Sequence, residues 1–179
     1  MRVIGGTARG RRLKSPRGQG LRPTSDLLRG AMFDMLDAAG VDYSRVLDLY
    51  AGTGALGIEA LSRGGGRCDF VEQDAAACRL IRENLALTGL TQSGAVHRLS
   101  AEAAAGRLSG PYSLVLADPS YADEGALAAL DRIAASPLIG QGTVLVLEHS
   151  KRQEAPQTLG RLRLERTRRH GDSCISVYR

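Results

Sequence analysis

Two widely separated segments constrain the fold of this chain most: Asp48-Leu-Tyr-Ala-Gly-Thr-Gly-Ala-Leu-Gly57 and Asp118-Pro-Ser-Tyr121. Each follows a short apolar run, Val46-Leu47 before the first and Leu114-Val115-Leu116-Ala117 before the second. Runs of that length bounded by turn residues read as buried strands. Both segments therefore belong at strand carboxyl ends, which is where open α/β sheets bind their ligands.

The rest of the chain agrees with that frame. The spacing of Leu28, Met32, Met35 and Leu36 predicts a helix from Ser25 to about Ala39, capped by Ser25 or Thr24. Strands are expected over 45–49, 68–72, 95–99, 113–117, 143–148, 161–168 and 174–178, and helices over 55–63, 75–88, 101–107 and 123–135. The last two strands are joined by His170-Gly171-Asp172, a hairpin signal. This alternation predicts an α/β fold with a mostly parallel seven-stranded sheet, helices on both faces and a terminal antiparallel hairpin. A basic amino-terminal extension over residues 1–22, punctuated by glycines, is expected to precede a domain over residues 23–179.

At 179 residues and 43% hydrophobic, the chain can bury a core without metal or disulfide. Cys68, Cys78 and Cys174 are odd in number and form no C-x-x-C pair, and Cys78 falls on the apolar face of its helix with Ile81 and Leu85. Neither a disulfide framework nor a metal site is expected. His97, His149 and His170 have no metal-ligand spacing. The longest apolar run, Thr143 to Leu147, is only strand-sized, and no leader-like stretch opens the chain. A cytoplasmic protein without a membrane partner is the expectation.

Charge is distributed unevenly. Residues 1–30, 31–150 and 151–179 carry net charges of +7, −7 and +5, and 22 of the 24 basic residues are arginine. An Arg-rich composition alone would not leave the middle acidic. Basic ends on an acidic centre point to a polyanion held by the termini. Arg2, Arg9, Arg11, Arg12, Lys14, Arg17 and Arg22 are the candidate contacts. Arg166, Arg168 and Arg169 read either as a solvated strand face or as further phosphate contacts.

Gly52-Thr-Gly-Ala-Leu-Gly57 matches G-x-G-x-x-G, and Glu72 lies twenty residues after Gly52, as in dinucleotide-binding domains. The charges choose between cofactors. A nicotinamide dinucleotide would bring phosphates toward Asp48, whereas S-adenosylmethionine has no phosphate and carries ammonium and sulfonium groups. Asp48 repels the first and attracts the second. Gly52 and Gly54 let backbone approach the cofactor. Glu72 can accept both ribose hydroxyls, each such charge-assisted bond contributing about 1.5 to 3 kcal/mol.

The second segment suits a planar amine. An exocyclic amine on a base is a poor nucleophile because its lone pair is delocalised into the ring. The Asp118 carboxylate and the Pro119 carbonyl can accept its N–H groups and turn its electron density toward a methyl donor, while Tyr121 stacks on the extruded base. The methylated ammonium is strongly acidic, so no His or Cys is required.

These motifs, with the opening Val3-Ile-Gly-Gly, Gly10-Arg-Arg-Leu13, Leu21-Arg-Pro-Thr24 and Met32-Phe33, resemble the bacterial 16S rRNA guanine-N2 methyltransferases of the class I, S-adenosylmethionine-dependent fold. The resemblance spans nearly the whole chain. It implies a Rossmann-like fold, S-adenosylmethionine as cofactor, and 16S rRNA or the small ribosomal subunit as partner. It further implies that Asp48, Tyr50, Gly52, Gly54 and Glu72 surround the cofactor, with Ser100 and Ala101 by its adenine and Thr24 near its methionine end. Asp118, Pro119 and Tyr121 would hold the target guanine. The chain departs from the family pattern at Ser120, where proline is usual, at Ser100, where an acid is common, and at Gly30, where glutamate is expected. Two alternatives remain at this point: transfer to adenine N6 in DNA or to a protein glutamine, and a noncatalytic RNA-binding relic of the fold.

Overall fold

The computed structural model describes residues 1–16, 26–120 and 122–179. Along the chain run α1 (Asp26–Ala38), β1 (Arg45–Leu49), α2 (Ala55–Ser62), β2 (Arg67–Glu72), α3 (Ala75–Thr88), β3 (Gly94–Arg98) and α4 (Ala101–Arg107). They are followed by β4 (Tyr112–Ala117), α5 (Ala126–Ala135), β5 (Ile139–Ser150), β6 (Thr158–Leu159), β7 (Leu162–His170) and β8 (Ser173–Tyr178). The sheet order is β3-β2-β1-β4-β5-β8-β7-β6, parallel from β3 to β5 and antiparallel beyond.

The expected seven strands and terminal hairpin are present, and the two-residue strand β6 adds an eighth at the edge. Strand β5 starts at Ile139, four residues before the expected 143, because Ile139 pairs with Tyr112 before a bulge and Leu114 resumes the ladder with Val144. Gly140 and Gly142 hid this extension. The α5 helix begins at Ala126, three residues later than expected, after a turn that ends at Gly125.

Strand alternation divides the core into two layers. Val46, Leu114, Leu116, Val144 and Val146 face α1, α2 and α3 through Phe33, Ile58 and Ile81. Leu47, Leu49, Val115, Leu145 and Leu147 face α4 and α5 through Ala104, Leu130 and Ile133. Helix α2 lies unusually close to the sheet. A Cβ at Gly57 would stand 2.4 Å from the Phe70 ring and 2.7 Å from Cys68 Sγ, so only glycine allows this approach. The three cysteines are free and buried, as their apolar surroundings predict. No described helix is long and apolar enough to cross a membrane.

Residues 1–16 fold back onto α2 and α3. Arg2 and Arg12 form an isolated antiparallel bridge, and Val3, Ala8 and Leu13 are buried in the same layer as Phe33 and Ile58. Residues 1–16 of the basic extension are therefore docked on the sheet's α1–α3 side.

Candidate active site

The chain turns to one side from β1 through β2 to β3, and to the other from β4 to β5. Strands β1 and β4 are neighbours, so the crevice between their carboxyl ends is a topological switch point. Leu49 is level with Ala117, which brings the glycine turn after β1 beside Asp118 after β4. The two sequence segments meet there.

The turn after β1 is built from unusual backbone. Tyr50, Gly52 and Gly54 adopt φ values of 58°, 55° and 77°. For tyrosine this left-handed conformation is strained, a condition that clusters at functional sites. The Tyr50 hydroxyl is buried without a hydrogen-bond partner among the described residues, and burial raises its pKa. Asp48 is 1% exposed. Its Oδ2 accepts the Gly57 N–H at 2.9 Å, and its Oδ1 is buried with no partner among the described residues. Asp48 thus braces the start of α2 with one oxygen and keeps the other unmatched beside the turn.

Glu72 ends β2, next to β1. Its Oε2 accepts the Gly52 N–H at 2.9 Å and its Oε1 the Asp74 N–H at 2.8 Å, so the carboxylate links the two turns. Each carboxylate oxygen keeps a second lone pair for a further donor. Ser100 caps α4, its hydroxyl accepting the Ala103 N–H, and Ala101 is buried in the α4 layer. Ser100, Glu72, Asp48 with Tyr50, and Asp118 therefore follow one another along the carboxyl edge of β3, β2, β1 and β4.

Asp118 is half-buried, Pro119 is buried and Ser120 is exposed. The Ser120 carbonyl accepts the Asp123 N–H at 2.9 Å and its hydroxyl accepts the Ala122 N–H at 3.4 Å, so the loop turns tightly without a proline at this position. Glu148 on β5 follows Leu147, which is level with Ala117, and so borders Asp118. Glu148 and His149 line a small pocket with Pro119 and Ser120. His149 bonds Ser176 and His97 bonds Asp69, while His170 ends β7; no group of described residues could hold a metal ion. Thr24, Tyr121, Arg17 and Arg22 lie outside the described residues.

The amino-terminal cations are less free than their density implies. Arg2 and Lys14 pair with Asp26 and Glu83, and Arg11 donates to the Leu87 carbonyl at 2.8 Å. Arg9 and Arg12 are exposed.

Sequence reasoning missed two residues that hold this region together. Asn84 is fully buried on α3. Its Nδ2 donates to the Thr53 and Lys14 carbonyls at 2.9 and 3.1 Å, and its Oδ1 accepts the Lys14 N–H at 2.8 Å. One amide therefore ties the amino-terminal segment to the glycine turn. Glu59, also fully buried, accepts the Ile4 and Gly5 N–H groups at 2.8 and 2.7 Å and pairs with Arg29 and Arg63 at 3.5 and 2.9 Å. A lone acid in the apolar run of α2, and an asparagine at a core-facing position of α3, were the available signals.

Comparison with known proteins agrees with this geometry. All 179 residues match the family described as Conserved hypothetical protein 95. The chain is 38% identical over 183 residues to the "Putative rRNA methyltransferase YlbH" of Bacillus subtilis, covering 100% of this chain and 98% of that protein. It is 37% identical over 121 residues to Ribosomal RNA small subunit methyltransferase D of Escherichia coli, covering 68% of this chain and 60% of that protein. Among solved structures, a methyltransferase described under the name yhhF from Escherichia coli superposes with a TM-score of 0.86 at 29% identity, covering 99% of this chain and 96% of the other. The chain belongs to the Conserved hypothetical protein 95 family, the family of bacterial 16S rRNA methyltransferases that its motifs resemble.

Proposed function

We propose that the protein transfers a methyl group from S-adenosylmethionine to the exocyclic N2 amine of a guanine in 16S rRNA. The observation that carries this reading is the meeting of Asp118-Pro119 with the glycine turn at the β1/β4 switch point. The cradle suits a cationic nucleoside. It presents an unmatched Asp48 oxygen, an unmatched Tyr50 hydroxyl and a turn opened by Gly52 and Gly54. The cofactor supplies an electrophilic methyl group. In this reading Glu72 takes ribose hydroxyls, and Ser100 and Ala101 border the adenine.

Asp118 and the Pro119 carbonyl accept the two N–H groups of the target amine and fix its plane. Tyr121 is assigned the base-stacking role. Asp118 does not act as a strong base; the proton leaves the alkylated nitrogen because that nitrogen has become acidic.

The test is incubation with methyl-labelled cofactor and small subunits or 16S rRNA lacking the modification, then digestion to nucleosides. N2-methylguanosine is expected. Label in N6-methyladenosine or in protein would move the target, and no incorporation would leave a noncatalytic RNA-binding protein. Asp118→Ala should slow single-turnover transfer about 10²-fold or more, as loss of a preorganised polar group does. The cofactor-induced rise in melting temperature should be retained, and NAD should produce none.

A further inference from the structure

The carboxyl-terminal arginines, read from sequence as either a solvated face or phosphate contacts, occupy a defined surface. Strand β7 is exposed from Glu165 to His170. Strand β6 covers its outer edge only at Leu162 and Arg163, so from Arg166 onward β7 is paired with β8 alone among the described residues. Arg166 and Arg168 stand opposite Val177 and Ile175. Directly opposed residues share a sheet face, and Val177 and Ile175 belong to the layer that also buries Val3, Ala8 and Leu13. Arg166 and Arg168 therefore lie on the same side of the sheet as the amino-terminal segment, while Arg169, opposite Cys174, alternates to the other face.

Two adjoining pockets run from the β7–β8 turn to Pro119. Lys151, just beyond β5, donates its N–H to the Asp172 carbonyl at 2.9 Å and pairs with the Asp172 carboxylate at 2.6 Å, fastening the loop to the β7–β8 turn. Beside it lies a cleft of about 570 Å³ lined by Lys151, Arg152, Gln153 and Asp172. Gln153 and Asp123 line both this cleft and the small pocket behind Pro119 and Ser120. Asp123 and Glu124, also on the cleft, repel phosphate, so backbone contacts fall to the guanidinium groups around it. Glu165 engages Arg166 and Arg179. Arg152 and Arg168 have no ion-pair partner among the described residues, and the Arg169 side chain bonds only the Gly171 carbonyl there.

We infer that Arg152, Arg168 and Arg169 form a second phosphate-binding surface that wraps the uncovered edge of β7, with Arg168 on one face and Arg169 on the other, and that it holds the substrate RNA backbone on the side of the target nucleotide away from the amino-terminal segment. The inference rests on the proposed RNA substrate. RNA is the occupant because the surface offers charge and exposes no large hydrophobic side chain among the described residues, and because β7's arginines repel a second copy's β7. Charged residues also blunt exposed strand edges against pairing; that role alone would leave RNA binding unaffected by their loss.

The experiment is binding of 16S rRNA across a salt series by wild type and the R152Q/R168Q/R169Q variant, with gel filtration of both. The log–log salt slope should become shallower by about two to three units, at ~0.7 to 0.9 per phosphate contact. The cofactor-induced melting shift should stay as in wild type. The R152K/R168K/R169K variant should keep the wild-type slope, since lysine serves as a point charge. An unchanged slope in the glutamine variant overturns the inference, all the more if that variant self-associates, and so does a wild type that fails to bind the RNA. A shallower slope with no N2-methylguanosine formed by wild type would keep this surface and reject the proposed reaction.

Discussion

Burial drives the Asp48 carboxyl well above the ordinary carboxylate range; the hydrogen bond from Gly57 opposes this, and the negative charges of Asp118 and Glu72 add to it. A carboxyl whose folded pKa is raised holds its proton more tightly in the native state. Its contribution to stability is full below the unfolded value of about 3.9 and is lost as pH climbs through the folded value. Asp48→Asn keeps an acceptor for Gly57 and removes the titration. Melting curves from pH 4 to 8 should therefore shift in favour of the variant as pH rises; parallel profiles would show that Asp48 does not titrate in this way. Measured above the folded value, where Asp48 is charged, the cofactor-induced melting shift should shrink in the variant, because a negative charge no longer meets the cationic cofactor. Gly30 gives the opposite kind of prediction. Among the described residues, a Cβ there would meet only Ile4 Cγ2, at an ordinary 3.5 Å. Gly30→Ala in α1 should stabilise the protein by about 0.5 to 1 kcal/mol, read from the urea midpoint.

At the level of elements, the amino-terminal segment is held by polar groups inside the protein as well as by its apolar side chains. Glu59 satisfies two of its N–H groups and balances Arg29, which is itself fully buried. Breaking a buried ion pair from one side leaves an uncompensated charge. Glu59→Gln should cost about 3 kcal/mol or more. Under conditions where the variant remains folded, trypsin should cut at Arg9, Arg11 and Arg12 faster than in wild type. Equal cleavage rates would mean that Val3, Ala8 and Leu13 hold the segment unaided. The segment's link to the glycine turn through Asn84 makes its docking relevant to the cofactor cradle as well.

For the whole molecule, Arg166 and Arg168 of the basic carboxyl end share a side of the sheet with the docked amino-terminal segment, and Arg169 faces the other side. Phosphate contacts set the salt dependence of RNA binding and carry no base identity. Replacing Arg9, Arg11 and Arg12 with alanine should make the log–log slope shallower by about two to three units at most, with cofactor binding and the identity of the methylated base retained. Arg11 is already engaged by the Leu87 carbonyl, which favours the lower figure. If both ends hold the same RNA, the slope changes of this variant and of the carboxyl-terminal one should add when combined. A combined change no larger than either alone would mean that the ends do not engage one RNA together.

The sequence by itself determined the α/β architecture, because seven of the eight strands and most helices declare themselves by local periodicity and turn residues. It also located the glycine turn and Asp118-Pro119 at strand ends, since both follow apolar runs directly. The early start of β5 and the two-residue β6 were not legible. Glycines masked the first, and the second exists only because its neighbour β7 supplies the pairing. Tertiary structure alone decided that Asp48 braces α2 while leaving one oxygen unmatched, and that Glu72 spans two turns. It alone made Asn84 and Glu59 anchors of the amino-terminal segment. Hydrogen bonds between residues such as Glu59 and Gly5, or Asn84 and Lys14, depend on which surfaces the packed helices bring together. No local pattern encodes that, because burial assigns a polar group its partner only after the apolar faces have closed around it.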